Sequence, residues 1–286
     1  MNQLVTIKTM HDVLVQEGVG RLEQILLDRP QSDAPLYHNF GPGLYIREVH
    51  MPAGNVAVGH YQKFDQWNVF LKGRVLMLNE DGSTTELIAP MQFTGKPGRK
   101  VGYILEDVVW QNVYPNPDNE HDVEKLEAKW IDKSQQWQAI EATRIDALRM
   151  KHELDRQDFK KAIQELGFTE EIVRAQSENE SDRIDIPAHR VQVGLSPIEG
   201  KGLFATAEIK AGEIILPARL YGKRTIAGRY TNHSVNPNAQ MVAAPGGDIA
   251  LVAIKDLAGC KAGQLGDEIT VDYRQARAVA LSMDLQ

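Results

Sequence analysis

The chain carries a single cysteine, Cys260. An internal disulfide framework and a thiolate zinc cluster built within one chain are thereby excluded. No apolar run approaches the roughly 18 residues a membrane helix needs. Residues 1–10 lack a basic stretch followed by an apolar one, so no signal peptide is expected. A reducing, cytoplasmic compartment fits these absences (the host's cytoplasm if the chain is viral). Positive charge is also short: 32 Lys and Arg stand against 39 Asp and Glu, for a net charge of −7. That argues against nucleic acid as the main partner, because such domains usually carry a basic face. It is compatible with attraction of cationic peptides.

What is present suits a globular protein of about two domains: 286 residues, 42% of them apolar and 25% charged. Met10, Val13, Leu14, Leu22, Ile25 and Leu26 recur at helical spacing, and Gly18 and Gly20 interrupt them. Two short helices or one broken helix are expected there. Residues 36–117 change character. Short β-type runs such as 67–71, 74–78, 84–88 and 108–110 are separated by Gly, Pro, Asn and Asp turns, which predicts an all-β barrel or sandwich. Helical periodicity returns over 119–175. Gly167 is placed to end one helix and Thr169 to cap the next. The acidic stretch 177–182 reads as a linker, and β-type runs resume from Ile184.

Three blocks in the last third carry a resemblance. The first is Gly200-Lys201-Gly202-Leu203-Phe204-Ala205, followed by Ile209-Lys210-Ala211-Gly212-Glu213. The second is Arg229-Tyr230-Thr231-Asn232-His233-Ser234-Val235-Asn236-Pro237-Asn238, and the third is Gly266-Asp267-Glu268-Ile269-Thr270-Val271-Asp272-Tyr273. Together they resemble the SET domain of protein lysine methyltransferases. The resemblance implies S-adenosylmethionine as cofactor and a protein with an accessible lysine as substrate. It implies that the Tyr273 hydroxyl orients the amine and the methyl group, and that Asn232 and His233 hold the cofactor. Arg229 and the Lys201-Gly202 backbone would sit beside the cofactor's carboxylate or ribose. Glu268 and Asp272 would be supporting groups. Tyr221 is either a second aromatic of the lysine channel or a core tyrosine.

This sequence departs from that family in three places. Val235 replaces a common cysteine. No cysteine cluster follows Tyr273, so the tail from Arg274 onward is the candidate for closing the channel. The segment between Ile215 and Arg229 is short and carries Arg219, Lys223 and Arg224. A cationic rim would repel a lysine-rich peptide and suit an acidic substrate region, or only the cofactor's carboxylate.

Earlier in the chain, Gly54, His60, Gln62, Gln66 and Gly73 fall on the spacing G-x5-H-x-H-x3-E-x6-G and resemble the first motif of the cupin superfamily. Only one of its metal ligands, His60, is retained. One imidazole and two amides bind a first-row metal poorly, so a cupin-like barrel with no metal site is expected.

The fold expected is mostly β with helical segments. It comprises an N-terminal helical segment (1–30), a cupin-like β-barrel (31–118), a helical linker (119–182), a SET-type β-clip domain (183–277) and a tail (278–286). The function expected is S-adenosylmethionine-dependent protein lysine N-methylation, with homo-oligomerisation through the barrel. The alternative is a structural or oligomerisation protein, viral or phage in origin, whose SET-like part binds with little or no catalysis. A third reading is a small-molecule cupin enzyme with an atypical metal site.

Overall fold

The computed structural model describes residues 3–284, whose contacts divide into two compact units that the chain visits in turn. The first takes the chain to residue 120, then 125–142 and 260–264. The second takes 121–124, 143–259 and the chain from 265 onward.

In the first unit, helix α1 (Gln3–Leu27) is broken at Gly18, where φ is 82°. Its buried Met10, Leu14 and Leu22 pack with Leu78 and Val101. Eight strands follow: β1 (Leu36–Gly41), β2 (Leu44–Met51), β3 (Val56–Val58), β4 (Tyr61–Gln62), β5 (Gln66–Leu78), β6 (Thr84–Ile88), β7 (Met91–Gly95) and β8 (Val101–Pro115). The runs 67–71 and 74–78, separate in the sequence reading, are one strand. Gln66, Asn68 and Phe70 are buried in its first half, Val75 and Leu78 in its second. The strict alternation of the first half is lost at the register shifts of β5 against β8 between Phe70 and Val75. Gly73 lies within them at φ 96°, and a Cβ there would come 2.3 Å from the Asp107 carbonyl oxygen. A side chain does not fit, and the bulge re-aims everything after it.

The main sheet runs β1-β2-β8-β5-β6, with β3 on β8 and β7 on β5. Its path is open. No pairing among the described residues joins β1 to β6, so the closed barrel expected over 31–118 is not formed. β4 leaves this sheet and pairs with β9 (Ile131–Asp132) instead. Between the β-rich segments lie helices α2 (Val123–Trp130), α3 (Gln135–Lys151), α4 (Glu153–Glu165) and α5 (Glu170–Ser177). Thr169 caps α5 by accepting from the Ile172 N–H at 3.3 Å, and Gly167 follows α4 at φ 79°. Both match the sequence signals.

The second unit is built from β10 (Val191–Leu195), β11 (Lys201–Ala205), β12 (Ile214–Leu220), β13 (Lys223–Arg224), α6 (Ile226–Tyr230), β14 (Asn232–His233), β15 (Ala239–Ala244), β16 (Asp248–Ala253), β17 (Glu268–Val271) and α7 (Tyr273–Asp284). Two four-stranded sheets form, in the orders β10-β11-β17-β14 and β13-β12-β16-β15. Leu203, Ile209, Leu251, Leu257 and Ile269 are fully buried in their common core. Gly228 lets α6 lie on β12, since a Cβ there would be 2.2 Å from the Ala218 carbonyl oxygen. The chain as a whole is mixed and β-rich. No described helix is long and apolar enough to cross a membrane.

Candidate functional site

The three sequence blocks of the last third meet in one sheet. β11 pairs antiparallel with β17, Leu203 opposite Ile269 and Phe204 opposite Glu268. β14 pairs parallel with the same strand, Asn232 opposite Thr270 and His233 opposite Val271. All four β17 residues are buried, as expected of a central strand covered on both faces. Asn238 adds a further tie. Its amide donates to the Glu268 carbonyl at 2.8 Å and its side-chain oxygen accepts from the Thr270 N–H at 2.8 Å.

A cavity of about 730 Å³ opens beside this sheet. One wall is the Ser196–Lys201 loop, a second is Arg229, Tyr230 and Asn232, and Tyr273 stands at the end of β17. The remaining wall comes from α3, α4 and α5, through Arg149, Arg156, Phe159, Val173 and Arg174. A cavity between 300 and 1,000 Å³ is the usual size for a small organic ligand. Gly200 takes φ 52° with open space where a Cβ would be, so bare backbone faces the cavity there.

Asn232 is held from three sides. Its Nδ2 donates to the carbonyls of Glu199 and Lys201 (both 3.1 Å) and to Glu268 Oε1 (2.8 Å). Ser196 Oγ donates to the same Oε1 at 2.7 Å. Gly202 does not line the cavity. Its missing side chain makes room for Glu268, whose Oε1 would be 2.3 Å from a Cβ. Burial pushes the Glu268 carboxyl up to about 7, against the pull of Asn232 and Ser196, and Oε2 has no hydrogen-bond partner.

Arg229 is 7% exposed. Its Nη1 donates to the Asn179 carbonyl at 2.7 Å, while its buried Nη2 has no partner. Lys201 is paired with Glu124 at 3.0 Å. The Tyr273 hydroxyl donates to the Thr231 carbonyl at 3.3 Å. Burial, with Glu268 and Glu199 adding to it, raises its pKa far above the ordinary phenol value, so it is a neutral donor at any physiological pH.

Two more predicted site residues, besides Gly202, stand away from the cavity wall. Tyr221 is 84% exposed, on a turn between β12 and β13 at φ 52°. It is neither a core tyrosine nor part of the cavity wall. His233 is fully buried and does not line the cavity. Its Nδ1 accepts from the Tyr273 N–H at 3.2 Å and its Nε2 donates to Asp158 Oδ2 at 2.8 Å. The tail behaves differently from the sequence expectation. Of α7, only Tyr273 reaches the cavity. Gln275 exchanges hydrogen bonds with the Met241 backbone of β15, so the helix packs there, and Leu285 lies outside the described residues. The walls it was expected to supply come from α3–α5, which the sequence presented as a linker. The cationic rim is partly neutralised, because Arg224 pairs with Asp182 and donates to the Gln176 carbonyl.

In the first unit, His60 and Gln62 are engaged by different neighbours. Burial, then Arg47, pull the His60 imidazole down to about 4, and its ring stands edge-on to Trp137 at 5.3 Å. Gln62 accepts from the Tyr114 hydroxyl at 2.9 Å. No group of three or more His, Cys, Asp or Glu converges among the described residues. Below them, Glu127 is buried between Arg47 at 3.2 Å and Lys133 at 3.1 Å.

No protein-family model and no curated protein matches the chain. Solved structures resemble only a part of it. An RmlC-like cupin protein with a double-stranded β-helix fold from Methanocaldococcus jannaschii aligns at 14% identity over 32% of this chain and 88% of its own, TM-score 0.26. The EutQ protein of Clostridium difficile aligns at 13% identity over 30% and 69%, TM-score 0.25. An acetylacetone dioxygenase from Acinetobacter johnsonii aligns at 12% identity over 29% and 60%, TM-score 0.25. These neighbours are cupin-like over a fragment of the chain, and scores this low establish no shared fold.

Proposed function

We propose that this chain is an S-adenosylmethionine-dependent protein lysine N-methyltransferase whose site is the cavity of the second unit. The observation that carries the reading is the convergence of Lys201, Arg229, Asn232 and Tyr273, drawn from all three sequence blocks, on that one cavity. The residues present fit the cofactor. The volume is adequate, Arg229 lines the cavity, and the bare backbone at Gly200 allows close approach. Arg229 and Lys201 would hold its carboxylate, and Asn232 and the Ser196–Lys201 loop would hold the rest.

When bound, the cofactor supplies an electrophilic methyl group for in-line displacement. The residues of the chain orient and desolvate. Lysine has a reference pKa near 10.4, so the attacking amine must lose a proton first, and a dry wall of Phe159, Tyr230 and Tyr273 favours its neutral form. The Tyr273 hydroxyl is a protonated, fixed dipole that aligns the nucleophile rather than taking its proton, and alignment supplies much of the acceleration in such a displacement. The cupin-like likeness of the first unit is assigned a binding or assembly role, without metal chemistry.

Calorimetric titration with S-adenosylmethionine, followed by a mass-spectrometric search for methyl-lysine, tests the reading. Wild type should bind and transfer. Tyr273→Phe should bind within about threefold of wild type and lose at least about 100-fold in transfer, the scale of a lost preorganised donor. Absence of binding by wild type, or transfer that ignores Tyr273, overturns it.

A further inference from the structure

Helix α4 presents Asp155, Asp158 and Phe159 on one face, at the i, i+3, i+4 spacing that keeps side chains together. That face meets the Asn232–Val235 segment, some 75 residues further along the chain. Asp155 is 8% exposed. Its Oδ1 accepts from Ser234 Oγ at 2.7 Å and from the Val235 N–H at 2.9 Å, and its Oδ2 accepts from His152 Nδ1 at 2.7 Å. Asp158 Oδ2 accepts from His233 Nε2 and from Arg274 Nη1, both at 2.8 Å. The Phe159 ring stands edge-on to Tyr273 with centroids 6.0 Å apart. A buried carboxylate costs several kcal/mol unless it is fully hydrogen-bonded, so these partners fix where the helix and the segment can lie.

The His233 ring makes the link directional. Its Nδ1 accepts from the Tyr273 N–H, so that nitrogen must be bare and the ring proton must sit on Nε2. Asp158 is the acceptor that keeps it there, as a carboxylate partner fixes an imidazole's tautomer elsewhere. Asp158 therefore reaches the backbone of Tyr273 through His233. Asp155 fixes the two residues that follow Asn232 and His233.

We infer that Asp155 and Asp158 of α4 are positioning residues of the C-terminal site, holding the Asn232–Val235 segment and the start of α7 in the arrangement the cavity requires. The inference rests on the proposed function for its catalytic meaning, but its physical content is testable without it. Asp158 carries no contact to the cavity, so its effect is exerted through His233.

The test uses the full chain. Nitrogen-15 NMR of the ligand-free protein should show the Nε2-protonated tautomer of His233. Asp158→Asn and Asp158→Ala should shift it toward the Nδ1 form or a mixture. Asp155→Asn should raise the exchange rate of the Val235 amide at least about tenfold. Both Asp158 variants should lower methyl transfer at least about 10-fold by displacing Tyr273, while S-adenosylmethionine affinity stays within about threefold of wild type. Glu165→Gln is the control, because Glu165 pairs with Arg274 Nε at 2.7 Å and does not touch His233. It should change neither tautomer nor methyl transfer. An unchanged tautomer in both Asp158 variants, or unchanged Val235 exchange in Asp155→Asn, overturns the inference, and so does a Glu165→Gln effect equal to theirs. If wild type fails to bind the cofactor, the proposed function falls while the tautomer and exchange measurements still decide the positioning role.

Discussion

Glu268 illustrates how a single residue ties the site to stability. It accepts from Asn232 and Ser196, yet burial lifts its pKa from 4.5 to about 7. An acid whose pKa rises on folding is bound to its proton more tightly in the native state. Its ionisation therefore costs nothing below about pH 4.5 and is paid in full above about pH 7, a loss of about 3 kcal/mol across that window. Glu268→Gln keeps the accepting oxygen and removes the titration. Its melting temperature should gain on wild type between about pH 5 and pH 7 and level off above, and thermal melts at four or five pH values would read this directly. A constant difference would show that Glu268 is already ionised at pH 5. At this scale the sequence was informative where residues travel in blocks. Asn232, Arg229, Lys201 and Tyr273 all reach the cavity because strand pairing brings three contiguous motifs together. Tyr221 was misjudged because its direction is set by a tight turn at positive φ, which proximity to a motif does not reveal. The position of the His233 side chain off the cavity wall was not legible, because both ring nitrogens are claimed by groups 40 and 75 residues away.

Among the elements, β5 shows most clearly what periodicity leaves out. A strand whose alternation is interrupted reads as two strands, and only the close approach at Gly73 reveals why. Gly73→Ala combines a disfavoured φ with a contact of 2.3 Å to the Asp107 carbonyl oxygen, and should cost at least about 2 kcal/mol. The denaturation midpoint of the first unit, followed by tryptophan fluorescence, checks this; a shift smaller than a few tenths of a kcal/mol would mean that the bulge relaxes freely. The helical segment was legible as helices, including the Thr169 cap and the Gly167 terminus, but not as a wall of the site. Its Arg149, Arg156 and Arg174 look like an ordinary solvated face, and Asp155 and Asp158 look like surface carboxylates, because nothing local announces a distant hydrogen-bond partner.

For the whole molecule, the two-unit organisation does not follow the linear divisions that the sequence suggested. A fragment starting at residue 183 would keep all three motifs and lose α3, α4 and α5. His233 and Ser234, both buried, would then lose their acceptors on Asp158 and Asp155, each unpaired group costing about 1–3 kcal/mol when buried. The 183–286 fragment should lack a cooperative thermal transition and bind no S-adenosylmethionine under conditions where the full chain does both. Cooperative melting and wild-type affinity in the fragment would show that the helices are dispensable.

The position of β17 has a consequence for how the protein comes into being. It is the last strand in chain order, yet it is the one that β11 and β14 both need as a neighbour. A growing polypeptide on the ribosome therefore carries two unpaired strand edges until residues 268–271 emerge. Until then neither Asn232 nor Tyr273 has a place to stand, so the site is assembled in a single late event rather than ripening by stages as the chain is made.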